Sequence, residues 1–103
     1  MTLTIQLTHR DDADSLHAHA ERVLRFALTR FGAAVTAVRL RLVDENGPRG
    51  GTDQRCRVRV VLRQGGAIDV SGDSADAHGV IYDVAARAAR AVGRRIRRSR
   101  DRR

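Results

Sequence analysis

Apolar positions along the chain recur with two different periods. In LTIQL, Leu3, Ile5 and Leu7 alternate with Thr4 and Gln6, the period of two that a half-buried strand requires. From Asp11 the period lengthens, and Leu16, Ala20, Val23, Leu24, Ala27 and Phe31 recur at three and four, which predicts an amphipathic helix. Asp12 or Asp14 can cap its start and Gly32 can end it. Alternation returns in VTAVRLRLV, with Val38, Leu40 and Leu42 inward and Arg39 and Arg41 outward. Beyond the turn-rich stretch DENGPRGGTDQ, RCRVRVVLR sends Cys56, Val58, Val60 and Leu62 inward and Arg55, Arg57, Arg59 and Arg63 outward. The short QGG connection predicts a hairpin into AIDVS, where Ile68 and Val70 face in. A second helix follows in DSADAHGVIYDVAARAARAVGRRIRR, with Asp73 or Ser74 as its cap and Asp76 favourable in its first turn. Its apolar face is Val80, Ile81, Val84, Ala85, Ala88, Val92 and Ile96.

Two helices with one apolar stripe each and four strands with one apolar face each bury those surfaces most simply in two layers. The expected fold class is therefore α+β, a two-layer β-α-β-β-β-α sandwich with both helices on one face of a four-stranded sheet. The strand-helix-strand start calls for a right-handed crossover. A chain of 103 residues is long enough for one core that buries roughly two thirds of its unfolded surface. Residues 1–98 are expected to form that single domain, and 99–103 a mobile basic tail. No stretch is apolar enough to span a bilayer and no secretory leader is visible, so a cytoplasmic protein is expected.

Charge changes the picture more than apolar content does. The net +8 comes from 20 arginines, with no lysine, against 12 acidic residues. It is unevenly placed: residues 1–31 are neutral, 32–73 carry +2 and 74–103 carry +6. Partners should be anionic, and the planar, permanently charged guanidinium suits phosphate. On a helical wheel, Asp83, Arg87, Arg90, Arg94 and Arg97 fall within an arc of about 80° opposite the apolar face. Asp83 and Arg87 are spaced to pair, whereas Arg90, Arg94 and Arg97 have no acidic residue at helical spacing within the predicted helix. A solvated face is the plain explanation of such a stripe, but it predicts mixed signs.

A second array lies on the sheet. Like charges facing each other on neighbouring strands destabilise a sheet, and Asp69, Asp44 and Glu45 can offset only part of the repulsion. Edge protection by charge is the alternative to a polyanion-binding surface here. The candidate RNA-binding residues are thus Arg87, Arg90, Arg94, Arg97 and Arg98 on the helix, and Arg39, Arg41, Arg57 and Arg59 on the sheet. The aromatics are Phe26, Phe31 and Tyr82, none of them on the outward face of a predicted strand. That favours reading of phosphate and groove shape, with folded RNA the best match and duplex DNA an alternative, over stacking of unpaired bases on a sheet.

Other chemistry is poorly served. Cys56 is alone, which excludes an internal disulfide, and its inward position predicts an inert thiol. His17 and His19 are two apart on a helix and diverge by about 200°, so they cannot share a metal as residues four apart do. His9 and His78 are read as surface or boundary residues. NGPRGG lies between strands and lacks the lysine and hydroxyl of a phosphate loop. No serine or cysteine has a base at a defensible spacing. No enzyme activity, cofactor, metal or small-molecule substrate is expected.

The order of elements and two stretches resemble the ribosome hibernation promoting factor and ribosome-associated inhibitor (protein Y) family. The first is LHAHAERVLRFALTRFGAAVTAVRLRL, with its helix, terminal phenylalanine, short gap and alternating strand. The second is DSADAHGVIYDVAARAARAVGRRIRR, an acidic turn before a helix with regularly spaced basic residues. The resemblance implies a fold similar to double-stranded RNA-binding domains. It further implies binding to the small ribosomal subunit and its ribosomal RNA, in the channel used by messenger and transfer RNA, with silencing of translation under stress. Basic positions of the family's last helix match Arg87, Arg90 and Arg94. The chain departs from the family pattern at His78, often Tyr there, at Gly79, often Ala, and at Tyr82, often Asp. Its length resembles the short forms, without the domain that pairs ribosomes. A general structured-RNA or DNA module, and a domain for an acidic protein partner, are the competing readings.

Overall fold

The computed structural model describes residues 1–8, 10–45 and 53–101. Strand β1 (Thr2–Leu7) leads into helix α1 (Ala13–Leu28), a 3-10 segment (Thr29–Ala34) and strand β2 (Val35–Asp44). Strands β3 (Gln54–Leu62) and β4 (Ala67–Ser74) precede helix α2 (Ala77–Asp101). The sheet order is β1-β2-β3-β4, with β1 parallel to β2 and the other neighbours antiparallel. This is the predicted α+β, β-α-β-β-β-α arrangement. A parallel β1/β2 pair needs a crossover, which α1 supplies, while β2, β3 and β4 can follow one another as a meander.

Alternation decides which face is buried. Val38, Leu40, Leu42, Cys56, Val58, Val60, Leu62 and Ile68 meet Leu16, Ala20, Leu24 and Leu28 of α1 and Val80, Ile81, Val84, Ala85, Ala88 and Val92 of α2 in one core. Most of these side chains have no exposed surface at all, and among the described residues no polar or charged residue is buried with them. Burying one such leucine or valine contributes about 1.5–3 kcal/mol, which is why the periodicity was informative. Both helices therefore lie on one side of the sheet, and the arginine side of β2 and β3 is left facing solvent. Among the described residues no helix is long and apolar enough to cross a membrane.

Element ends differ from expectation in several places. Asp12 stands at the N-cap of α1, but its side chain makes no capping bond. Its carboxylate instead takes the Arg10 guanidinium. Helix α2 starts at Ala77, not after Asp73 or Ser74, because β4 continues to Ser74 and Asp73 is used across the sheet by Arg55. Ser74 Oγ accepts from the Asp76 backbone N–H at 3.0 Å, and the Asp76 carbonyl takes the first helical bond, from Val80. At the other end α2 runs to Asp101, so Ser99–Asp101, expected in the mobile tail, are helical. No glycine or proline interrupts them, and Arg98 and Arg100 oppose the negative end of the helix dipole. Arg102, Arg103 and most of the turn-rich stretch after β2 lie outside the described residues.

Helix α1 ends at Leu28, before the expected Gly32, and tightens into the 3-10 segment, inside which Gly32 breaks the path with φ of +56°. Few side chains adopt that conformation, so the sharp entry to β2 depends on it. The QGG connection closes the β3/β4 hairpin with a bond from the Leu62 N–H to the Gly66 carbonyl at 2.9 Å.

Candidate nucleic-acid interface

Strand register turns the outward arginines into a block. Arg39 of β2 lies opposite Arg59 of β3, and Arg41 opposite Arg57. Thr4 and Gln6 of β1 flank Arg39 and Arg41, while Asp69 and Ser71 of β4 flank Arg59 and Arg57. Each like-charge pair facing across a sheet costs roughly 0.2–1 kcal/mol. The carboxylates relieve only the rim. Asp69 holds Arg59 at 2.8 Å, and Asp73 and Glu45 hold Arg55 at 2.9 and 3.7 Å. The Arg55 hydrogen bond keeps the Asp73 carboxyl below its ordinary pKa, with burial opposing. Arg39, Arg41 and Arg57 have no carboxylate within 4.0 Å among the described residues. They line a shallow depression with Arg59, Asp69 and Ser71. Arg63, expected in the same array, lies past the end of β3, where its Nε donates to the Ala33 carbonyl at 3.2 Å.

On α2, Arg87, Arg90, Arg94, Arg97 and Arg98 are all exposed. The expected Asp83–Arg87 ion pair is not made. Arg87 Nη2 instead donates to the backbone carbonyl of Ser71 at 2.6 Å, a bond to the free edge of β4. Gly72 makes this possible: a Cβ there would sit 2.8 Å from Arg87 Nη2 and 3.0 Å from a Val84 methyl group. A carbonyl on an edge strand is a better partner than an exposed carboxylate one turn away, because the edge otherwise leaves that acceptor without a protein donor. Arg95, which the periodicity did not single out, donates to the Gly65 carbonyl and ties α2 to the β3/β4 turn.

The Arg87 bond brings the two arrays into one surface. Ser71 lies opposite Arg57 on the outer face of the sheet, and its carbonyl receives Arg87 from the helix. The basic surface thus passes from the block on β2 and β3, round the edge at Ser71 and Gly72, onto α2. Spacing alone could place each array but not their junction, since that depends on which β4 residue faces Arg57. The signal available was Gly72, a glycine inside a strand, which often marks close approach of another group.

The remaining candidates resolve simply. Cys56 is fully buried, and burial pushes its thiol up to about 12, with nearby Arg87 pulling the other way. His19 Nε2 lies 3.0 Å from the His78 carbonyl, and the two rings pack at 4.7 Å between centroids. His9 and the NGPRGG stretch lie outside the described residues. Phe31 packs beneath the Arg30 guanidinium at 4.7 Å. Tyr82 and Phe26, by contrast, are 60% and 89% exposed on their helices.

No protein-family model matches the sequence, and a search of curated proteins finds no relative. Solved structures do match. The N-terminal domain of Protein Y from Thermus thermophilus is similar at a TM-score of 0.72 and 20% identity, over 91% of this chain and 98% of that one. A ribosomal subunit interface protein from Coxiella burnetii is similar at 0.74 and 13% identity, over 91% of this chain and 96% of that one. The likeness covers 91% of the chain in both cases, so the chain has the fold of these two proteins, as the family resemblance in its sequence implies.

Proposed function

We propose that this protein is a ribosome-binding factor of the hibernation type, without enzymatic activity. It would press its arginine surface on ribosomal RNA of the small subunit, occupy the channel of messenger and transfer RNA, and so silence translation. The observation that carries the reading is the single basic surface joined at Ser71, in which Arg39 faces Arg59 and Arg41 faces Arg57, with no carboxylate within 4.0 Å of Arg39, Arg41 or Arg57 among the described residues. Such a surface is costly to keep unless a polyanion completes it. The likeness to Protein Y and to a ribosomal subunit interface protein supports the choice of ribosome over other polyanions.

Sedimentation tests this. The purified protein should travel with small subunits at 50 mM salt, and replacing Arg87, Arg90 and Arg94 with Ala should release most of it while leaving the circular dichroism unchanged. Protein that stays at the top of the gradient at low salt overturns the reading. Equal affinity for free RNA or DNA duplexes and for ribosomes identifies a general nucleic-acid module instead. Binding that survives nuclease treatment identifies an acidic protein partner.

A further inference from the structure

The basic surface contains a recess of about 410 Å³ beside the edge of β4, lined by Gly72, Asp73, Tyr82, Asp83, Arg87 and Arg90 among others. Its size falls within the range of small-ligand sites. Three kinds of group converge there. Tyr82 is 60% exposed, and Ala86, one helical turn further on, is small and also lines the recess. Arg87 and Arg90 bring positive charge, with Arg87 held in place by its bond to Ser71. Of the two carboxylates, Asp73 is already neutralised by Arg55 at 2.9 Å, which leaves Asp83 as a hydrogen-bond acceptor.

An aromatic face, two guanidinium groups and one acceptor are what an unpaired nucleotide needs: a surface for stacking, donors for phosphate and a partner for an exocyclic amine. A paired base offers no free face to a tyrosine on a helix, so duplex nucleic acid would leave Tyr82 unused. We propose that this recess binds one unpaired nucleotide of an RNA strand, the base stacked on Tyr82 and the adjoining phosphates on Arg87 and Arg90. This rests on the reading of the basic surface as RNA-binding and adds to it a single-stranded component. Sequence reasoning missed the site because it sought stacking aromatics only on strands.

The test compares a fluorescein-labelled single-stranded adenylate 12-mer with an RNA duplex of 12 base pairs. Tyr82→Ala should weaken binding of the single strand by roughly 5- to 100-fold, the range for loss of one base–aromatic stack, and leave the duplex within twofold. Tyr82→Phe should stay within twofold of the parent for both. The chain has one tyrosine and no tryptophan, so the Tyr82 ring resonances can be followed without ambiguity, and they should move upfield on addition of the 12-mer. The proposal is overturned if the parent does not bind the 12-mer, if Tyr82→Ala binds it as the parent does, if single strand and duplex are lost equally, or if Tyr82→Phe falls with Tyr82→Ala. A separate outcome tests the underlying reading. If the Arg87, Arg90 and Arg94 triple alanine variant binds both RNAs unchanged, the basic surface itself is not the site. If that variant fails while Tyr82→Ala has no effect, only the stacking site is lost.

Discussion

Gly72 shows how much one missing side chain can place. Alanine there would bring a methyl group within 2.8 Å of Arg87 Nη2 and 3.0 Å of Val84. The arginine can swing away, but then the Ser71 carbonyl loses its donor, and the valine belongs to a packed core. Gly72→Ala should gain up to about 1 kcal/mol from a stiffer unfolded chain and lose about 1–3 kcal/mol to overpacking. The expected net is a loss of about 1 kcal/mol in urea unfolding, with weaker RNA binding; a more stable variant with unchanged affinity would show that Arg87 does not depend on the edge. Cys56 provides a second single-residue prediction. Its thiol ionises near the ordinary 9.0 when unfolded and near 12 when folded. The unfolded chain therefore releases its proton first, and this contribution to stability is complete below about pH 9 and falls as pH rises toward 12. A thiol reagent at pH 8 should label Cys56 only on unfolding; prompt labelling of the native protein would contradict its burial.

At the scale of elements, the β2/β3 pair has surplus charge that its own stability does not require. Arg39→Thr removes one member of the Arg39/Arg59 pair and places a strand-favouring residue on the sheet. Stability should rise by about 0.5 kcal/mol at low salt, with the gain shrinking at high salt as screening takes over, while affinity for RNA falls. If Arg39→Thr lowers stability instead, the arginine is serving the sheet. These elements were legible in the sequence because alternation and three-four spacing are local, and Leu40 or Ile81 announces its face through near neighbours alone. The ends were less legible. Asp73 has the composition of a helix cap, but its partner Arg55 is 18 residues away and comes opposite only through strand pairing. Likewise, Asp83 and Arg87 have ideal spacing for an ion pair, but a backbone carbonyl on β4 competes for the guanidinium. Local pattern identifies which residues are charged and outward; register decides what they touch.

Over the whole molecule, the asymmetry of charge becomes an asymmetry of surface. The helices cover one face of the sheet, so arginines from β2 and β3 and from α2 can meet only round the β4 edge, and the nine candidate residues occupy the sheet face and the exposed side of α2. Association with RNA should accordingly depend steeply on ionic strength. Neutralising six to ten phosphates lowers affinity by roughly 10³–10⁵ between 50 and 200 mM salt. A flat response in a titration over that range would mean that the surface meets its partner without phosphate contacts.

The crossing of Arg87 over Gly72 also has an evolutionary consequence. Two positions 15 residues apart share a single volume, so a change at one bears on the other: a chain of this fold that acquires a larger residue at 72 must send its arginine elsewhere. Across relatives of this fold, an arginine at 87 that crosses the strand edge should be accompanied by glycine at 72, while Arg90 and Arg94, which cross no strand, vary independently of position 72.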